Sequence, residues 1–265
     1  MSGKLTAAIG QTKKVLVGLG NEWKLKDSYI ENDELYGKAF KAIKDKSDYL
    51  VPFFKKFYLE RREDPRKEAF ERLNSMLSDK DYFVISTLDD VEISKFGFVE
   101  EKTVFPCGNI RYLQKKHDAN GVLINTELSN EYKELVQKFD DFVENKINLD
   151  SFSPLMYEND ELILNQKSAR EIDVKYNESA YLPSWKKYNE WIASTLSQDL
   201  LILELGTNLE YPALIRFPFE RIAYFNKKAY MIRVNETLYQ LTPEIVNKAV
   251  SVPVNSVKYV LQENE

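Results

Sequence analysis

The chain is poor in the residues that most often build reactive sites. Its 265 residues include one cysteine, Cys107, and one histidine, His117. A lone cysteine excludes an internal disulfide, and the pair excludes a zinc site of four cysteines or of paired cysteines and histidines. Mechanisms that use two histidines are excluded with them. No apolar run approaches the roughly 18–20 residues of a membrane helix, and the opening MSGKLTAAIGQTKK lacks the apolar stretch of a secretory signal. A cytoplasmic protein without membrane contacts is therefore expected. Excess basic charge is also missing: 37 basic and 42 acidic residues give a net charge of −5. That balance argues against a nucleic-acid partner. Lysine-rich pieces such as KAIKDK (41–46) are interrupted by acids and read as solvated helix faces.

What is present suits a globular α/β chain, with 43% hydrophobic and 30% charged residues. Short apolar segments read as strands: KKVLVGLG (13–20), DYFVIST (81–87), KTVF (102–105), DLLILELG (199–206) and AYMIRVN (229–235). VLVG and LLILEL are too apolar for half-exposed strands and imply a parallel sheet covered on both faces. Helical patterns alternate with them at 36–63, 64–79, 130–145 and 183–198. In the second of these, Asp64 is the expected N-cap and Pro65 the first helical residue. The alternation predicts an open α/β sheet. Residues 24–63 read as a helical insertion and 109–182 as an excursion with short polar strands. A short helix is expected near Pro243, and SVKYVLQ (256–262) as a last strand.

Five candidate sites fall at strand C-terminal ends. Gly18 and Gly20 could bring backbone amides against a phosphate, or form an ordinary strand-to-helix turn. ELGTN offers Gly206, Thr207 and Asn208 as a close backbone and two hydrogen-bonding side chains. Asn235 could bind a ribose or end its strand. Ser86, Thr87, Asp89 and Asp90 cluster after another strand, where an acid is either a ligand or an N-cap. Cys107, in FPCGN, is a nucleophile or a passive buried thiol. In a doubly wound sheet all five share one rim.

Taken in order, these segments resemble the sirtuin family, and within it the divergent bacterial sirtuins linked to macrodomains. The resemblance spans about residues 10–235. It rests on Trp185, Tyr188 and Trp191 followed by LILELGTNLEYPALIRFPFERIAYFNKKAYMIRVN, on DKDYFVISTLDDVEISKFGF (79–98) and on FPCGNIRYLQ (105–114). It implies one domain, with a Rossmann-like part at about 5–24, 64–108 and 183–265 and a small module at about 25–63 and 109–182. That module would be helical plus a degenerate zinc ribbon.

The resemblance also implies NAD or ADP-ribose as cofactor, and an acylated, lipoylated or ADP-ribosylated carrier protein as partner. Gly18, Gly20, Ser86, Thr87, Gly206, Thr207, Asn208 and Asn235 match the nucleotide side. Asp90 and Cys107 stand at reactive positions. The rest of the reactive side departs from the family. Leu88 replaces the Asn that orients nicotinamide, and Cys107 replaces a catalytic His or Gln. Glu22 and Trp23 stand where small residues flank the pyrophosphate. Lys115, Ser153 and Met156 fall near zinc-cysteine positions, so no zinc is expected and the module is expected to cohere by packing alone. The expected function is binding, with deacylation lost, or as an alternative a diverged NAD-consuming transferase or glycohydrolase.

Overall fold

A computed structural model describes residues 4–167 and 174–262. Helix α1 (Lys4–Gln11) precedes β1 (Lys14–Leu19), and three helices follow: α2 (Asp27–Glu31), α3 (Gly37–Lys46) and α4 (Val51–Arg61). Helix α5 (Lys67–Leu77) leads to β2 (Asp81–Ser86) and β3 (Thr103–Val104). Next come β4 (Gly108–Lys115), β5 (Ile124–Asn125), α6 (Asn130–Val143), β6 (Leu155–Tyr157) and β7 (Asp160–Gln166). The chain then runs through α7 (Leu182–Ser194), β8 (Leu200–Leu205), α8 (Arg216–Phe225), β9 (Ala229–Val234), β10 (Ala249–Val252) and α9 (Ser256–Gln262).

Six strands form a parallel sheet in the order β10-β9-β8-β1-β2-β3. Strands β1 and β8 are apolar at nearly every position because both sheet faces are covered. Val15, Val17 and Leu203 face a core shared with α1, α5 and α9, while Leu16 and Ile202 face one shared with α7 and α8. The strand order reverses between β1 and β8, and that is where an open α/β sheet leaves a crevice at its strand C-termini.

A second, antiparallel sheet has the order β5-β4-β7-β6. It packs with α3, α4 and α6 around Phe40, Phe54, Phe57 and Phe139. Packing is not its only support. Lys115–Glu158, Lys116–Glu161 and His117–Asp160 pair at 2.7–2.9 Å and clip β4 to the β6–β7 hairpin, close to Lys115 and Met156, where the resemblance sets zinc cysteines that this chain lacks. The expectation of cohesion by packing alone is corrected accordingly. No group of three or more His, Cys, Asp or Glu among the described residues is placed to hold a metal ion.

Four local expectations are also corrected. The 36–63 helix is two helices, because Ser47 leaves helical geometry at φ −151°, ψ 59° and Pro52 starts the second. Helix α5 begins at Lys67, two residues late, while the Asp64 carboxylate accepts the Arg66 N–H. SVKYVLQ is helix α9 rather than a strand, and the last strand is the shorter AVSV of β10. The short helix expected near Pro243 is instead a single 3₁₀ turn at Val246–Lys248. No helix among the described residues is long and apolar enough to cross a membrane.

Candidate functional site

The rim of the main sheet gathers the ends of β1, β2, β8 and β9. Gly20 follows β1 and its N–H donates to Leu205 O at 2.9 Å, so two strand ends meet as backbone. A Cβ on Gly20 would strike the Thr207 backbone. Gly206 is left-handed at φ +67°, a conformation open to glycine, and a Cβ there would lie 2.5 Å from Glu22 Cβ. Gly18 lies under Ile215 and Phe219 of α8. The glycines therefore bring the two loops together rather than leave a gap between them.

Glu22 fills the space these loops frame. Its N–H donates to Gly206 O, and its carboxylate accepts the backbone N–H groups of Glu236 (2.8 Å) and Ser256 (2.6 Å). Amides at a strand end and a chain turn are the groups that hold phosphate oxygens in nucleotide-binding turns. Here the protein's own carboxylate takes them. Trp23 is fully buried against Phe70, with its indole N–H on Ser256 Oγ at 3.0 Å.

The other residues expected on the nucleotide side are engaged internally. Ser86 Oγ accepts the Leu88 N–H, and Thr87 Oγ1 donates to Leu19 O. Thr207 Oγ1 donates to Glu204, and Asn208 Oδ1 accepts the Glu210 N–H. Asn235 donates to Thr207 O and accepts from Thr237 and Leu238. Glu204 is itself fully buried in an ion network with Arg233, which also pairs with Glu220, and with Arg216. The structure brings Gly18, Gly20, Thr87, Gly206, Thr207 and Asn235 to one rim and occupies their polar atoms there.

On the reactive side, both Asp90 oxygens are taken: Oδ2 by the Leu25 N–H at 2.7 Å, Oδ1 by Arg66 Nη1 at 2.9 Å. Arg66 also reaches Trp23 O and Asp64, so it ties the turn after β1 to the start of α5. Asp90 positions the Trp23–Leu25 backbone. Leu88 is fully buried in the core. Cys107 is 1% exposed, and burial, with Asp89 adding its charge, pushes its thiol up to about 12. At neutral pH it is a thiol and not a thiolate.

The open space lies beside these residues. A cleft of about 780 Å³ separates the two sheets, lined by Tyr49, Phe53, Asp89, Gln166, Lys167 and Glu210 among others. Asp89 pairs with Lys24 at 3.1 Å, and Gln166 donates to Asp89 O. Burial pushes the Asp89 carboxyl up against the pull of Lys24, with Asp90 adding to the rise. The Lys167 N–H donates to Cys107 O, and its ammonium lies 5.7 Å from the Tyr211 ring centre and 6.0 Å from that of Tyr176. Arg66, Lys24, Lys167 and Ser256 are absent from the sequence-derived candidates. Arg66 follows the Asp-Pro helix start and could have been noticed. The others are brought in by tertiary contacts alone.

No protein-family model matches the chain, and no curated protein sequence matches it. Solved structures do match over nearly the whole length. A Sir2 protein bound to a propionylated peptide superposes with a TM-score of 0.54 at 12% identity, covering 97% of this chain and 94% of its own. A Sir2 homologue mutant in complex with ADP-ribose gives 0.52 at 13%, covering 100% and 94%. Sir2 bound to acetylated peptide gives 0.52 at 13%, covering 97% and 94%. The α/β sheet with its second small sheet is therefore a sirtuin-like fold.

Proposed function

We propose that this sirtuin-like protein performs no lysine deacylation and works as a binding protein. It engages a protein partner through the cleft between its sheets, while its nucleotide turn is closed by its own side chains. One observation carries the reading: the Glu22 carboxylate sits on the Glu236 and Ser256 amides, against Gly206, where an anionic cofactor would need them. Leu88 in the core and the protonated Cys107 support it, since neither can orient a carboxamide or take a proton from a ribose hydroxyl. The Sir2 structures hold propionylated and acetylated peptides, and a modified lysine on a carrier protein is the corresponding ligand proposed for this cleft.

Titration with NAD and with ADP-ribose tests this reading, because a ligand at about 100 times its Kd raises stability by ~2.7 kcal/mol. No thermal shift with either, and no nicotinamide release with an acetyl-lysine peptide present, are the expected results. Turnover of the peptide would overturn the proposal.

A second reading, an ADP-ribosyl transferase of the macrodomain-linked type, draws on Asp89 rather than on Asp90 or Cys107. Asp89 lines the cleft, whereas Asp90 and Cys107 do not. NAD-dependent labelling of a protein, lost in Asp89→Asn, would favour it.

A further inference from the structure

The ends of α7 and α8 at the opposite edge of the sheet, where β8 and β9 begin, form a feature that the nucleotide turn and the cleft do not use. Between them lies a cavity of about 260 Å³ lined by Ile192, Ala193, Leu196, Arg221, Ile222 and Phe225. Thr195 and Asn226 also border it, but their polar groups turn inward: Thr195 Oγ1 donates to Ile192 O, and Asn226 donates to Thr195 O and Gln198 O. The cavity thus presents carbon. Leu196 is 66% exposed, Phe225 68% and the adjacent Tyr224 53%, a grouping of large apolar side chains that soluble surfaces seldom leave together.

Positive charge predominates around it. Arg221 borders the cavity, and Lys227 and Lys228 follow α8 on the exposed surface. Among the described residues none of the three enters an ion pair, whereas Arg216 and Arg233 nearby are paired with Glu204 and Glu220. Glu190 and Asp199, the nearest acids along α7 and the turn after it, do not line the cavity. Arg221 is the charged residue that lines the hollow, and Lys227 and Lys228 follow directly on its Asn226 edge.

Size and sign select the occupant. The volume falls below the roughly 300–1,000 Å³ of small-molecule sites and suits one or two inserted side chains. A second copy docking by two-fold symmetry would set these cations against themselves. A bilayer would cover the protruding side chains but leave the hollow between them unfilled. We propose that the α7–α8 end is a docking surface for an acidic amphipathic helix of a partner protein. That helix inserts an apolar anchor between Leu196 and Phe225 and sets carboxylates against Arg221, Lys227 and Lys228.

Two labelled synthetic helices with the same leucine face test this, one carrying glutamates on its flanks and the other lysines, read by fluorescence anisotropy with the full chain. The glutamate helix is expected to bind, and the lysine helix about tenfold more weakly or not at all. Leu196→Ser or Phe225→Ser should weaken the glutamate helix by about tenfold, and Arg221→Glu with Lys228→Glu should reverse the preference. All four residues are exposed, so the variants should melt like the parent. Equal binding of both helices, absence of binding, or binding unchanged in Phe225→Ser would overturn the proposal. Two further outcomes would reassign the surface and also overturn it. One is retention on phosphatidylglycerol vesicles lost in Phe225→Ser; the other is a dimer in ultracentrifugation lost in the same variant.

Discussion

Ser256 donates its backbone N–H to the Glu22 carboxylate at 2.6 Å, joining two residues 234 positions apart. The same carboxylate accepts Glu236 N–H, so one side chain holds the turn after β1, the loop after β9 and the start of α9. In the proposed reading, this arrangement closes the nucleotide turn more than any missing catalytic group does.

Glu22→Ala should have two opposite effects. It removes a charged acceptor from two amides and should lower stability by about 2 kcal/mol in urea unfolding. It also frees those amides, so ADP-ribose or pyrophosphate should raise the melting temperature of the variant and leave the parent unchanged. A variant that ignores both anions would show that the turn is shaped against them by more than Glu22.

Trp23 does not lend itself to the same treatment. Its side chain is fully buried on Phe70, and Trp23→Ala should cost about 3–5 kcal/mol, as large-to-small changes of buried aromatics do. Chemical denaturation of the single variant measures it. A cost below about 1 kcal/mol would mean that the indole is dispensable packing.

Cys107 should resist alkylation by iodoacetamide at pH 7.5 until the chain unfolds, since burial holds the thiol near 12. The sign of the pH effect follows. A folded value raised above the ordinary one, near 9, stabilises the fold fully below pH 9, and that contribution is lost as pH rises from about 9 towards 12. Cys107→Ala should therefore flatten the alkaline limb of the stability profile. An unchanged limb would place the thiol in contact with water.

Removing either partner of the Arg66–Asp90 pair strands a buried charge. Arg66→Ala or Asp90→Ala should each cost about 3–5 kcal/mol, and the double variant should cost less than their sum. Additive losses would mean that the two residues act independently, and would weaken the view of Asp90 as a positioning group.

The sheet is legible in the sequence wherever a strand is buried on both faces. VLVGL and LLILEL read as strands because they are apolar almost throughout, with Glu204 the one polar side chain between them. SVKYVLQ misleads because seven residues of mixed polarity suit either period, and Tyr259 and Val260 reach the core from a helix. The four-residue β10 is half-exposed along its length and carries little pattern of its own. The rim glycines can be read from the order of the segments. Their occupant cannot, because Glu22 meets its amide partners only after the β9 loop and α9 have folded back over it. Lys24 and Lys167 are hidden for the same reason, since each lies beside Asp89 or Cys107 only in three dimensions.

The Glu22–Ser256 bond also orders events during synthesis. At about 5–20 residues per second, a ribosome takes roughly 10–50 s to travel from Glu22 to Ser256. Throughout that interval Glu22 lacks the Ser256 amide and the Trp23 indole lacks its hydroxyl partner. The turn after β1, made among the first residues, is thus among the last local structures to gain its full set of hydrogen bonds.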